Sequence, residues 1–212
     1  GSNHQVMGSC NSVTGFTNSC EGDMNHVEGG NNTLVGGFYN HQEGEGHVNA
    51  EGWLYGHQEG TASKAYNHLQ HLRGGGTFVD GAPGDAQYST IIAKTITSSE
   101  DPIPLTADSS GNLIWLPVNK MCTFRVLVVA STADLASGPS YEFKGLVSQG
   151  AAPGTATILG TVNKTVIAET DPTWDCNVTA DTANGALQIS ATGAAATTIR
   201  WVAFVEMIEV SF

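Results

Sequence analysis

The chain has 212 residues, enough for one all-β domain of ordinary size or two smaller ones. Only 13% are charged, 40% are apolar and 26 are glycine, so a packed core can form and a solvated, disordered chain is excluded. Acids outnumber bases 20 to 8, and a formal net charge of −12 repels phosphate backbones, so no nucleic-acid partner is expected.

No apolar run reaches the about 18 residues of a transmembrane helix, and no basic-then-apolar leader opens the sequence. Membrane insertion is therefore not expected. Gly1-Ser2 reads as a cloning remnant, with the natural chain expected to begin upstream. Four cysteines (Cys10, Cys20, Cys122, Cys176) form no C-x-x-C pair, which argues against a zinc site or a disulfide framework. Free thiols fit folding in a reducing cytoplasm.

Composition changes near residues 74–84, at Gly74-Gly75-Gly76 and Gly81-Ala82-Pro83-Gly84. Two domains are expected, 1–76 and 77–212. In the first, Gly recurs at positions 8, 15, 22, 29 and 36, then at 44, 52 and 60. Asn11, Asn18, Asn25 and Asn32 each follow a glycine by three residues. Val13, Cys20, Val27, Leu34, Gln42, Ala50 and Gln58 each precede one by two. A coiled coil needs two large apolar residues per heptad and good helix formers. Gly and Asn are poor in helix interiors but suit tight corners. Each heptad is therefore read as a short strand and a corner, two heptads to a coil, roughly four coils and about 20 Å of stack. One inward residue per strand makes a thin core, so such a stack is expected to need partners.

These repeats resemble the heads of YadA-like trimeric adhesins. The units Asn25-His26-Val27-Glu28-Gly29, Asn40-His41-Gln42-Glu43-Gly44 and Gly56-His57-Gln58-Glu59-Gly60 are similar to the S-H-A-E-G repeats of phage tail fibres and tailspikes. The likeness spans roughly residues 3–72 and weakens after Gly60, where Lys64-Ala65-Tyr66-Asn67-His68 lacks the glycine. It implies a left-handed parallel β-roll that trimerises.

In the second region the runs 88–97, 113–116, 122–130, 141–148, 155–165, 174–180, 186–192 and 198–212 are rich in β-branched and aromatic residues. Turn chemistry separates them, as at Asp108-Ser109-Ser110-Gly111-Asn112 and Ser137-Gly138-Pro139. Eight or nine strands predict an antiparallel β-sandwich or jelly roll. The last run is apolar on both faces, which predicts a strand covered on both sides, the outer one by a neighbouring subunit. Phe124–Ala130, Tyr141–Gly145, Asp181 with Gly185–Leu187, and Ile199–Ala203 resemble the C-terminal domain of phage tail fibre proteins. The acidic signature of a self-cleaving chaperone domain is absent.

Candidate chemistry is sparse. The pairs His26/Glu28, His41/Glu43 and His57/Glu59 place imidazole and carboxylate on one strand face. They are either a metal motif or ladders copied by the repeat, and no fourth ligand is defined. Every histidine lies before residue 72, so the second region cannot run a His-based nucleophilic mechanism alone. Asp171, Asp175 and Asp181 are conceivable paired carboxylates. Tyr141, Trp174 with Asp175, Trp115, and Trp53 with Tyr55 sit beside predicted turns, where ring faces can stack on sugars. The expectation is a homotrimeric distal tail fibre of a virion, not an enzyme and without cofactor. It would bind bacterial surface polysaccharide, lipopolysaccharide or capsule, and join upstream tail fibre and baseplate proteins. A trimeric autotransporter adhesin and a depolymerase or self-cleaving tailspike are the alternatives.

Overall fold

The structure, a computed structural model, describes residues 3–49, 53–108 and 110–212. The readings placed on Gly1, Ser2, Ala50, Gly52 and Ser109 lie outside the described residues. The strands are β1 (Gln5–Met7), β2 (Ser12–Val13), β3 (Ser19–Glu21), β4 (His26–Gly30), β5 (Thr33–Leu34), β6 (His41–Glu45), β7 (Val48–Asn49), β8 (His57–Thr61) and β9 (His71–Gly75). There follow β10 (Ala86–Thr97), β11 (Ile103–Pro104), β12 (Ile114–Trp115), β13 (Lys120–Ser131), β14 (Ser140–Gln149), β15 (Thr157–Ala168), β16 (Asp175–Asp181), β17 (Ala186–Thr192) and β18 (Ile199–Ser211). Among the described residues no helix is long and apolar enough to cross a membrane.

The chain divides into two compact units, one of residues 1–90 with 208–212 and one of residues 91–207. In the first, odd-numbered β1, β3, β5 and β7 pair in parallel, while β2, β4, β6, β8 and β9 form a second parallel ladder. The result is a β-solenoid of about five turns. Its corners explain the glycine period. Gly15 (φ +103°) and Gly29 (φ +102°) each stand where a Cβ would come within 1.8 Å of the carbonyl oxygen of the glycine one turn on. No side chain fits there. Two residues after each such glycine the chain again adopts positive φ, now with Cys10, Thr17, Met24 and Asn31. Non-glycine residues are held there only when their surroundings over-determine the conformation.

Asparagine supplies that determination. Asn25 and Asn40 donate their backbone N–H to the side-chain Oδ1 of Asn11 and Asn25, each at 3.0 Å, and Gly56 N–H continues the column onto Asn40 Oδ1 at 2.8 Å. In a second column, Oδ1 of Asn18 and of Asn32 accept the backbone N–H groups of Asn32 and His47, both at 3.0 Å. Cys20, Val27 and Leu34 fill the first turns, and Gln42 and Gln58 follow Val27 in register on the second ladder, buried and joined by a 2.7 Å bond.

The second unit has one sheet in the order β15-β14-β13-β18-β10 and another of β11-β17-β12 with β16 on β17. Phe124, Phe143, Ile189 and Trp201 belong to their common core, where the Trp201 indole N–H donates to Thr97 Oγ1 at 2.9 Å. β12, β17 and β18 fall within the predicted runs, β10 and β13–β16 overrun theirs by a few residues and β11 lies in none; the expected fold, a β-roll followed by its own β-sandwich, is corrected. The run at 88–97 is expected to open the sandwich; instead Gln87–Thr90 pairs antiparallel with Gly74–His71, extending the solenoid's ladder within the first unit. The open edge of β9 takes the next strand the chain offers. Within the single chain the terminal strand buries Ile199, Trp201, Ala203 and Val205 on one face, while Val202 on the other is 41% and Ile208 63% exposed.

Candidate functional site

Tyr141 lies at the start of β14 and is wholly buried. Its hydroxyl is shared between two acceptors, Glu169 Oε1 at 2.8 Å and the Trp174 carbonyl at 2.9 Å. Burial pushes its pKa well up, and the Glu169 carboxylate adds to the shift. Trp174 is only 4% exposed, so neither ring offers its face to a sugar. Asp175 pairs with Lys164, whose ammonium lies 4.7 Å over the Tyr141 ring, and it also accepts from Cys176 N–H. Trp115 is half-buried in β12. Asp171 and Asp181 serve their own turns, held below the usual carboxylate range by side-chain bonds from Thr173 and Asn184. All four cysteines are free; burial raises the Cys20 thiol and pushes Cys176 up to about 12.

The histidines gather on the ladder. His26, His41, His57 and His71 are register partners on β4, β6, β8 and β9, with ring centroids 4.8, 4.8 and 4.6 Å apart. Burial and the flanking His71 and His41 lower the pKa of His57. His47 is different: fully buried, it stands in the asparagine column, where Nδ1 lies 2.9 Å from Ser63 Oγ and Nε2 lies 2.9 Å from the Glu43 carbonyl.

A further site emerges in the second unit. A cavity of about 550 Å³, within the range of small-ligand pockets, is lined by Lys94, Ile96, Pro104, Thr106, Asp108 and Arg200 among others. Lys94 in β10 is held by its backbone, exchanging N–H···O bonds of 2.9 and 3.1 Å with Thr106. Asp108 is drawn into a turn by the Ser110 and Asn112 N–H groups and the Asn112 amide. Elsewhere basic residues are engaged: Arg125 and Lys144 with Glu142, Lys164 with Asp175, Arg73 with Glu59, Lys64 over Tyr66. Among the described residues Lys94 and Arg200 make no ion pair, and both line this one cavity. Sequence reasoning missed them because two isolated cations in apolar runs form no local motif.

No protein-family model and no curated protein matches the chain. Several solved structures do. The tailspike protein gp49 of Acinetobacter baumannii bacteriophage Fri1, described as a capsular polysaccharide depolymerase, is 11% identical with a TM-score of 0.35, covering 92% of this chain and 38% of its own. The tailspike of Acinetobacter baumannii phage AM24 is 8% identical with a TM-score of 0.30, covering 99% and 49%. That of Acinetobacter phage vB_ApiP_P1 is 10% identical with a TM-score of 0.24, covering 99% and 46%. The chain thus spans less than half the length of each tailspike it resembles. The expectation that the chain is not an enzyme conflicts with the description of the Fri1 protein as a depolymerase and is withdrawn. Likeness at this level does not carry that protein's activity to this chain.

Proposed function

We propose that the chain is a receptor-binding part of a bacteriophage tail fibre or tailspike, which attaches the virion to the surface polysaccharide of its bacterial host. The observation that carries the reading is the convergence of Lys94 and Arg200, both without ion pairs in a chain of net charge −12, on one cavity with polar and apolar walls. Such a cavity suits a sugar bearing a carboxylate, gripped by charge-assisted bonds while its ring lies on Ile96 and Pro104. The solenoid supports the virion context, since its turns stack the His-x-Glu-Gly units that resemble tail fibre and tailspike repeats.

The chain acts as a homotrimer in this reading. In its favour, Met24, Tyr39, Tyr55 and Leu69 stand one turn apart at positive-φ corners, 39–55% exposed, with the two tyrosine rings stacked at 5.2 Å. Upstream fibre and baseplate proteins would join it to the virion, and several weak sites per particle would multiply affinity. Lipopolysaccharide or capsule is the receptor class, and purified capsule of Acinetobacter baumannii is the first probe. Binding is measured with the wild-type chain and with Lys94→Ala/Arg200→Ala. The double variant should bind at least tenfold more weakly, and raised salt should weaken the wild type. Equal binding by both refutes the assigned cavity. Sizing the recovered glycan reads cleavage in the same experiment.

A further inference from the structure

We propose that His41, Glu43 and His57 on the solenoid form a binding site for one divalent cation of the zinc class. In a strand, residues two apart share a face, so β6 presents His41 beside Glu43, and parallel register brings His57 of β8 alongside. One ligand atom from each lies within 4.8 Å of the others. Two imidazole nitrogens and a carboxylate oxygen are a borderline-metal donor set, and water can complete the tetrahedron. Bonds of roughly 2.0–2.2 Å require the three atoms to draw closer, and the exposed Glu43 side chain is free to swing in.

Two further triads overlap this one, His26/Glu28/His41 and His57/Glu59/His71. What singles out the middle is the state of its nitrogens. The Nε2 atoms of His41 and His57 are shielded from water and have no hydrogen-bond partner, while their rings lie parallel within 3°. A shielded, unpartnered nitrogen is costly unless something occupies it. The outer histidines are already engaged: His26 Nε2 lies 3.4 Å from Glu28, and His71 Nε2 lies 3.9 Å from Glu59. Each outer triad also borrows a central histidine, so filling the middle site closes both. The stoichiometry is therefore one ion per chain, where filling the outer pair would give two.

The chain, stripped with a chelator, is titrated with Zn²⁺ by calorimetry and its metal content measured after gel filtration. One ion per chain is expected, with at least tenfold weaker binding in His41→Gln and in Glu43→Gln, and unchanged binding in His26→Gln. Loss of binding in His26→Gln, two ions per chain, or no binding at all overturns the proposal and leaves the histidines as a stacking ladder. A second measurement needs no variant. Zn²⁺ should shift the imidazole NMR resonances of His41 and His57 of the wild-type chain, while those of His68 stay in place. Unshifted His41 and His57 resonances overturn it equally.

Discussion

Truncating Asn32 to alanine tests what holds the solenoid turns together. The side chain is fully buried; its Oδ1 accepts the His47 N–H at 3.0 Å, and its amide donates to the Glu28 and Gly44 carbonyls at 3.0 and 3.1 Å. Asn32→Ala leaves the His47 N–H buried without an acceptor, which costs roughly 1–3 kcal/mol, and removes two further bonds of roughly 0.5–1.5 kcal/mol each. The expected loss is about 4 kcal/mol, a large share of a typical folding stability of roughly 5–15 kcal/mol. The neighbouring Asn31 is the control: exposed, at φ +56°, its side chain bonds only Glu45. Asn31→Gly relieves the positive-φ strain and should change stability by less than about 1 kcal/mol. Urea unfolding followed by far-ultraviolet circular dichroism compares the two. An Asn32→Ala chain within about 1 kcal/mol of wild type would refute the column as the determinant of the turn.

Gly15→Ala should yield little folded protein, because its Cβ meets the Gly29 carbonyl at 1.8 Å; soluble expression with a wild-type spectrum would contradict this. Burial holds the His47 pKa below its ordinary 6.5, so the unfolded chain takes up the proton first, and the stability that the neutral ring contributes is complete above that value and lost as pH falls through it. Thermal melting from pH 8 to 5 should show a shallower decline for His47→Asn, which keeps the column without the titrating ring; an unchanged slope would count against it. Tyr141→Phe removes buried bonds to Glu169 and Trp174 and should cost about 1–3 kcal/mol while leaving capsule binding unchanged. Weakened binding at full stability would instead return Tyr141 to the receptor site.

The solenoid was legible because its constraints are local. A glycine whose Cβ has no room, followed three residues later by an asparagine whose amide bridges two turns, leaves a periodic mark in the sequence. The corner residues Met24, Tyr39 and Tyr55 leave none, since their positive φ is imposed by the turns above and below. The assembly of the later strands was hidden for a related reason: 88–97 reads as a strand in either arrangement, and only the unfilled edge of β9 decides that Gln87–Thr90 pairs there. Proximity to a turn suggested exposure for Tyr141 and Trp174, yet Tyr141 can be buried because Glu169 and a backbone carbonyl accept its hydroxyl proton. Lys94 and Arg200 are far apart in sequence, and the pairing of β10 with β18 brings both to the lining of one cavity.

A thin solenoid cannot choose its register by apolar burial alone, because one residue per strand is too little to penalise a slip. Cys20, Val27 and Leu34 are succeeded in the interior by Gln42 and Gln58, and the asparagine column passes to His47 and Ser63. Directional bonds do the selecting instead: a shift of one residue would take each amide from its acceptor and put a side chain where the corner admits only glycine. That same strictness stacks every copied position directly over its predecessor. Imidazoles at 4.8 Å spacing are then a by-product of register, and a pair of adjacent rings with a carboxylate beside them becomes available for metal chemistry without any residue having left the repeat.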